Sequence, residues 1–185
     1  VVSEGSVVFV LEEMEQAVKR GARIYAELRG YGASADAYHL SSLAPGAEGS
    51  ARAMRAAVAR SGLAATEIDY VSAHATSTPG GDGEEAAAIA AVFGENKAAL
   101  HVSGVKSMTG HLLGGAGATG VFAAVMAIRE GVVPPTINLE NLDPACAETG
   151  LNFTPNVAVK KTVRAALANS FGFGGTNASI VVSAV

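Results

Sequence analysis

Apolar and polar positions along the 185-residue chain shift between a period of two and a period near 3.6, and the shifts mark out strands and helices in turn. Residues 6–11 are dominated by valine, phenylalanine and leucine and predict a buried strand. Residues 12–20 predict a short helix with acids first and Lys19 and Arg20 last, the order the helix dipole favours, and with Gly21 as its stop. A second strand is expected over 24–28, running on toward Tyr31, followed by a loop over 32–49 rich in Gly, Ser, Ala and Asp. Ser50 is placed to cap a helix over 51–60, with Met54, Ala57 and Val58 facing inward and Arg52 and Arg55 outward. Residues 68–72 predict a strand that leads out to His74. Asp82 and Glu85 read as a capping box for a helix over 83–93, closed by Gly94. The recurring order of strand, loop and helix argues for parallel strands joined by right-handed crossovers.

Residues 101–105 predict the next strand. The helix that follows, over 116–130, carries Val121, Phe122, Val125, Met126 and Ile128 around its whole circumference. A helix without a polar side must be buried all round, which places it in a middle layer between two sheets. Gly131 ends it, and Val132-Val133-Pro134-Pro135 is held extended by proline sterics. Residues 136–163 read mostly as loop, with a short strand near 151–153. Strands over 165–170 and 179–183 then flank a glycine turn at 172–175, as in an antiparallel hairpin.

Composition adds one constraint. Charged residues make up 16% of the chain and hydrophobic residues 49%, against about 25% charged in an ordinary soluble domain. With 22 glycines, this suggests tight helix–sheet layering and a face covered by a partner or by further polypeptide. The net charge of −4, without a long run of either sign, argues against a nucleic-acid surface. The most apolar run, 120–128, is far short of the roughly 20 residues that span a bilayer. A single cysteine, Cys146, excludes an internal disulfide and suits a reducing compartment. The chain opens at Val1 with no signal-peptide pattern, as expected of a piece of a longer sequence.

The candidate chemistry lies in three loops. Lys106 and His111 follow one predicted strand, His74 follows another, and Phe171-Gly172-Phe173-Gly174-Gly175-Thr176-Asn177 follows a third. Loops at strand ends are where α/β architectures collect their chemistry. Gly115-x-Gly117-x-x-Gly120, with Glu140 further on, fits the dinucleotide pattern, but the eight residues 107–114 separate it from the strand that should precede it directly. Cys146 sits among Asp143 and Glu148, which would keep its thiol protonated and sluggish. His74 and His111 are too few ligands for a closed metal site. Two neutral imidazoles can instead each donate an N–H to an oxyanion or enolate forming on a thioester carbonyl. A Lys106 ammonium nearby would keep both rings neutral.

His74-Ala75-Thr76-Ser77-Thr78-Pro79, Lys106-Ser107-Met108-Thr109-Gly110-His111 and Asn169-Ser170-Phe171-Gly172-Phe173-Gly174-Gly175-Thr176-Asn177 together resemble the three C-terminal motifs of the β-ketoacyl-acyl carrier protein synthases. Val133-Pro134-Pro135-Thr136-Ile137-Asn138-Leu139 and Gly30-Tyr31-Gly32-Ala33-Ser34-Ala35-Asp36-Ala37-Tyr38-His39 resemble the type II, chain-elongating branch. The resemblance implies an α/β, thiolase-like fold of two similar halves, each a mixed five-stranded sheet packed with helices, with buried helices at the centre. All of 1–185 would be one domain, the C-terminal half, and the N-terminal half would be absent.

By the same resemblance, His74 and His111 activate malonyl decarboxylation and stabilise the enolate, and Lys106 tunes them. Thr76 and Thr78 bind the pantetheine arm, Phe171 lines the site and Phe173 gates the acyl pocket. The implied reaction is fatty acid chain elongation, with an acyl carrier protein bearing acyl and malonyl groups as partner, no cofactor and no metal, in a homodimer. The nucleophilic cysteine of the family belongs to the first half. The family usually has Gly where Ala75 stands, Leu at Gly80 and Glu at Gly120, the last a contact of the catalytic lysine. Two other readings are a non-catalytic partner like the chain-length factors and a nucleotide-binding domain. The retained histidines and lysine weigh against the first, and the misplaced glycines against the second.

Overall fold

The computed structural model describes residues 1–94 and 96–185. Its elements run α1 (Met14–Lys19), β1 (Glu27–Ala35), α2 (Glu48–Ser61), β2 (Tyr70–Ser72), α3 (Asp82–Phe93), β3 (His101–Ser103), α4 (Lys106–Thr109), α5 (Ala116–Glu130), β4 (Val132–Val133), α6 (Pro144–Ala147), β5 (Val159–Lys160), β6 (Ala165–Gly172) and β7 (Thr176–Ser183). Five strands form one sheet in the order β1-β7-β6-β2-β3. β6, β2 and β3 are parallel, while β7 runs antiparallel to both β6 and β1. The sheet is mixed because the 172–175 turn closes a hairpin, as its glycines predict, whereas helices connect the parallel strands.

Side chains alternate between the sheet's faces and feed two cores. Val71, Leu167 and Val181 point to the side of α2 and α3, where Met54, Ala57, Ile89 and Phe93 are buried with them. Tyr70, Ala166 and Val182 point to the side of α5, against Ala124, Ala127 and Val133. The result is three layers, helices on both faces of the sheet.

Several expected elements are redrawn. β1 runs on past Tyr31 through Gly32 to Ala35, where a loop was expected, because α2 lies directly on the strand there. A Cβ at Gly30 would stand 2.1 Å from Ala57 O, and one at Gly32 1.9 Å from Ala53 O. α2 starts at Glu48, so Ser50 is not its cap; the Ser50 hydroxyl donates instead to Asn177 Oδ1 at 3.0 Å. α1 starts at Met14 because the Glu13 carboxylate accepts from Glu15 N and Gln16 N. Within 136–163 the chain forms α6 and β5, which pairs with β4, and Asn152 makes only an isolated bridge to His101.

Residues 6–11 form no strand. Val8 is 86% and Val10 90% exposed, since no ladder among the described residues takes them up. α5 has the boundaries its pattern predicts, and Gly131 ends it in the left-handed conformation. It is not buried on every side, however. One face lies on the sheet, with Gly120 and Ala124 buried, while Phe122 on the outer face is 47% exposed. Among the described residues the only other sheet is the two-stranded β4–β5 pair, which leaves Phe122 exposed, and no helix is long and apolar enough to cross a membrane.

Candidate active site

Because β2, β3 and β6 are parallel neighbours, their C-terminal ends open at one edge, and the three motif loops meet there. His74 follows β2, Lys106 begins α4 just beyond β3, and Phe171 is the last residue but one of β6. β3 stops at Ser103 rather than 105 because the next amide, Gly104 N, donates out of the sheet to Thr136 Oγ1 at 3.0 Å. The His74 and His111 rings stand edge to face, centroids 5.7 Å apart, and the Phe171 ring lies 5.5 Å from that of His74.

Hydrogen bonds fix which nitrogens carry protons. The Lys106 ammonium donates to His74 O and stands 3.5 Å from His74 Nδ1. A cation at that nitrogen requires the lone pair there, so the proton sits on Nε2. His111 Nδ1 accepts from Leu113 N at 3.0 Å, which leaves its proton on Nε2 as well. Burial pushes the His74 pKa down to about 3, helped by the Lys106 charge and by His111. Burial and then Lys106 also lower that of His111. Both rings are therefore neutral, each with an Nε2–H free to donate. Burial also lowers the pKa of Lys106, against the opposing pull of Glu85 and Asp82.

Those two carboxylates are what the sequence reading missed. The expected capping box does not form: the N-cap of α3 is Gly81, which makes no side-chain cap. Glu85 is buried and turns back to the His74 loop. Its Oε1 accepts from His74 N at 2.8 Å and Asn169 Nδ2 at 3.1 Å, and its Oε2 from Ala75 N at 2.8 Å. Asp82 Oδ1 accepts from Ser77 N and Thr78 N. The first turn of α3 thus clamps a loop in which Ala75 and Ser77 have positive φ. The only signal in the sequence was two acids on one helical turn directly after a histidine loop.

Thr76 and Thr78 lie on that clamped loop, with their hydroxyls 3.1 Å apart. Phe173 is 83% exposed at the tip of the β6–β7 turn. The turn itself is tied down: Gly174 N donates to Leu40 O, Asp36 N to Gly175 O, and Asn177 Nδ2 to Asp36 Oδ1 at 2.6 Å. Cys146 is buried in α6, and burial with Asp82, Asp143 and Glu85 nearby pushes its thiol pKa up, which suits a bystander. Gly120 packs on the sheet, where a Cβ would stand 3.4 Å from Ser72 Oγ. That hydroxyl is buried without a hydrogen-bond partner. Lys106 is placed by the His74 carbonyl and faced by Glu85 and Asp82, so its position does not depend on a carboxylate at 120. No group of three or more His, Cys, Asp or Glu among the described residues is placed to hold a metal ion.

A three-layer α/β domain that presents two neutral histidines and a lysine at the ends of parallel strands is the kind of site that stabilises an enolate or oxyanion. The family described as beta-ketoacyl synthase, C-terminal domain, matches residues 25–140, and the chain belongs to it. It is 48% identical over 185 residues to a 3-oxoacyl-[acyl-carrier-protein] synthase 2 of Coxiella burnetii (strain RSA 493 / Nine Mile phase I), covering 100% of this chain and 44% of that protein. It is 50% identical over 188 residues to the mitochondrial 3-oxoacyl-[acyl-carrier-protein] synthase of Arabidopsis thaliana, covering 100% and 40%. Among solved structures, the ishigamide ketosynthase/chain length factor superposes with a TM-score of 0.93 at 42% identity, covering 100% of this chain and 44% of that one. The chain thus spans less than half the length of these relatives.

Proposed function

We propose that these residues form the malonyl-activating half of a 3-oxoacyl-acyl carrier protein synthase that lengthens fatty acyl chains. The observation that carries this reading is the pair of neutral imidazoles with free Nε2–H groups, backed by Lys106. When the malonyl thioester loses its terminal carboxylate as carbon dioxide, the electron pair of the broken C–C bond moves into the thioester as an enolate. The Nε2–H groups of His74 and His111 donate to the enolate oxygen. The enolate carbon then attacks the acyl thioester, forming the new C–C bond and releasing the thiolate of the enzyme's nucleophile.

In this reading that nucleophile lies in a part of the enzyme outside these 185 residues, since Cys146 is buried away in α6. Residues 1–185 act as one C-terminal domain of a two-half, homodimeric enzyme. Thr76 and Thr78 hydrogen-bond the pantetheine arm of an acyl carrier protein, Phe171 lines the site and Phe173, at an exposed turn tip, gates the acyl pocket. Bacterial and mitochondrial relatives support a bacterial cytoplasm or an organelle matrix as its place.

In the full-length enzyme, His74→Ala and His111→Ala are each expected to slow malonyl-acyl carrier protein decarboxylation about 100-fold or more, the usual cost of removing one such donor. Full condensation rates in both variants would refute the reading. The likeness to a ketosynthase/chain length factor raises the reading of a non-catalytic partner subunit. Both histidines and the lysine stand in a working arrangement, which favours the enzyme. A wild-type full-length protein that neither decarboxylates nor condenses would favour the subunit.

A further inference from the structure

His111 leaves α4 through Gly110, at φ +71°, and belongs to none of the five strands of the sheet. Its backbone groups are nevertheless both paired, and both go to the first residues of the chain. His111 N donates to Val1 O at 2.8 Å, and Ser3 N donates to His111 O at 3.0 Å, a parallel bridge centred on Val2. The contact is close along its length. A Cβ at Gly110 would stand 2.8 Å from Ser3 Cβ and Oγ, one at Gly5 2.8 Å from Leu112 Cδ2, and one at Gly115 3.0 Å from Gly5 O. The Ser3 hydroxyl is enclosed there without a hydrogen-bond partner.

The Val2 side chain, 70% exposed, adds little to the attachment. The segment's attachment is the backbone pairing to His111 and the glycines that let two chains touch.

We propose that residues 1–5 form a strap that positions His111, with Ser3 as its positioning residue. The strap fixes the Cα of His111 from outside the sheet. The Leu113 amide, two residues on, fixes the ring by donating to Nδ1. Together they aim Nε2–H at the point where the His74 ring converges. The inference rests on the reading of His111 as an enolate donor, but its test does not use activity.

The test is NMR of the full-length enzyme. Ser3→Pro removes the N–H that His111 O accepts, in a segment that belongs to none of the five strands, so the sheet is left intact. Amide exchange at His111 is expected to become at least 10-fold faster, since its bond to Val1 O depends on the strap. The ring nitrogen shifts of His111 should move from the single Nε2–H tautomer toward a mixture, while those of His74 stay as in wild type. Ser3→Ala keeps the N–H and should preserve both His111 signatures. Unchanged exchange and tautomer in Ser3→Pro, or equal losses in Ser3→Ala, would overturn the strap. If Ser3→Pro behaves as expected but His111→Ala enzyme still decarboxylates at full rate, the strap stands and the functional reading falls.

Discussion

The two histidines face each other across one site, yet different forces hold them. The His74 loop is clamped from inside the domain by Glu85 and Asp82, side chains of α3 whose carboxylates accept four loop amides. The His111 loop is held by main-chain bonds to residues 1–3 and by its own Leu113 amide. A buried carboxylate is an all-or-nothing support, because its loss strands every donor that pointed at it. A main-chain pairing at the surface gives way gradually, since water replaces each lost bond. Within one site, His74 is thus the fixed member and His111 the adjustable one.

Removing the clamp gives the largest expected effect. Glu85→Ala leaves His74 N, Ala75 N and the Asn169 amide without their acceptor, and should cost about 3 kcal/mol in denaturant unfolding. A loss below about 1 kcal/mol would mean that the His74 loop is held by its main chain, like its counterpart.

Acid separates the two next. His74 falls from an ordinary 6.5 to about 3 on folding, so the unfolded chain takes up the proton first. Its contribution to stability is complete above about 6.5 and is lost as pH falls from there toward about 3. Thermal midpoints should therefore decline through that window, and His74→Gln should flatten the decline. A wild-type midpoint that stays level from pH 6.5 to 4 would contradict a buried neutral ring.

Ala75→Gly should have the smallest effect. Ala75 has φ +36°, a conformation that costs an L-residue about 1–2 kcal/mol. Glycine relieves that strain but gives back about 0.4–1 kcal/mol through the freer unfolded chain. A gain of about 0.5 kcal/mol, seen as a slightly higher melting temperature, is the expected balance. A lower melting temperature would show that the Glu85 clamp, and not the residue type, already absorbs the strain.

Much of this was legible in the sequence, for local reasons. α5 begins and ends where its pattern says, because a long apolar run and a left-handed glycine are signals the chain carries by itself. His74, Lys106, His111 and Phe171 converge as their strand-end positions imply. Features that depend on distant neighbours were not legible. Gly32 reads as the start of a loop until α2 is seen lying on it. Residues 6–11 have a strand's composition but no ladder among the described residues. Glu85 looks like a helix cap in one dimension, and only the fold turns it toward the histidine loop.

The strands that carry the site are short: β2 ends at Ser72 and β3 at Ser103, so His74 and Lys106 hang on lever arms of two and three residues. A short arm transmits the ladder's register with little slack. A single inserted residue between Ser72 and His74 would swing the imidazole to the opposite side of the chain, whereas the winding stretch between β4 and β5 has room to absorb length changes. Drift in length across related chains should accordingly gather far from the strand exits, and the distance from ladder to histidine should act as a fixed gauge.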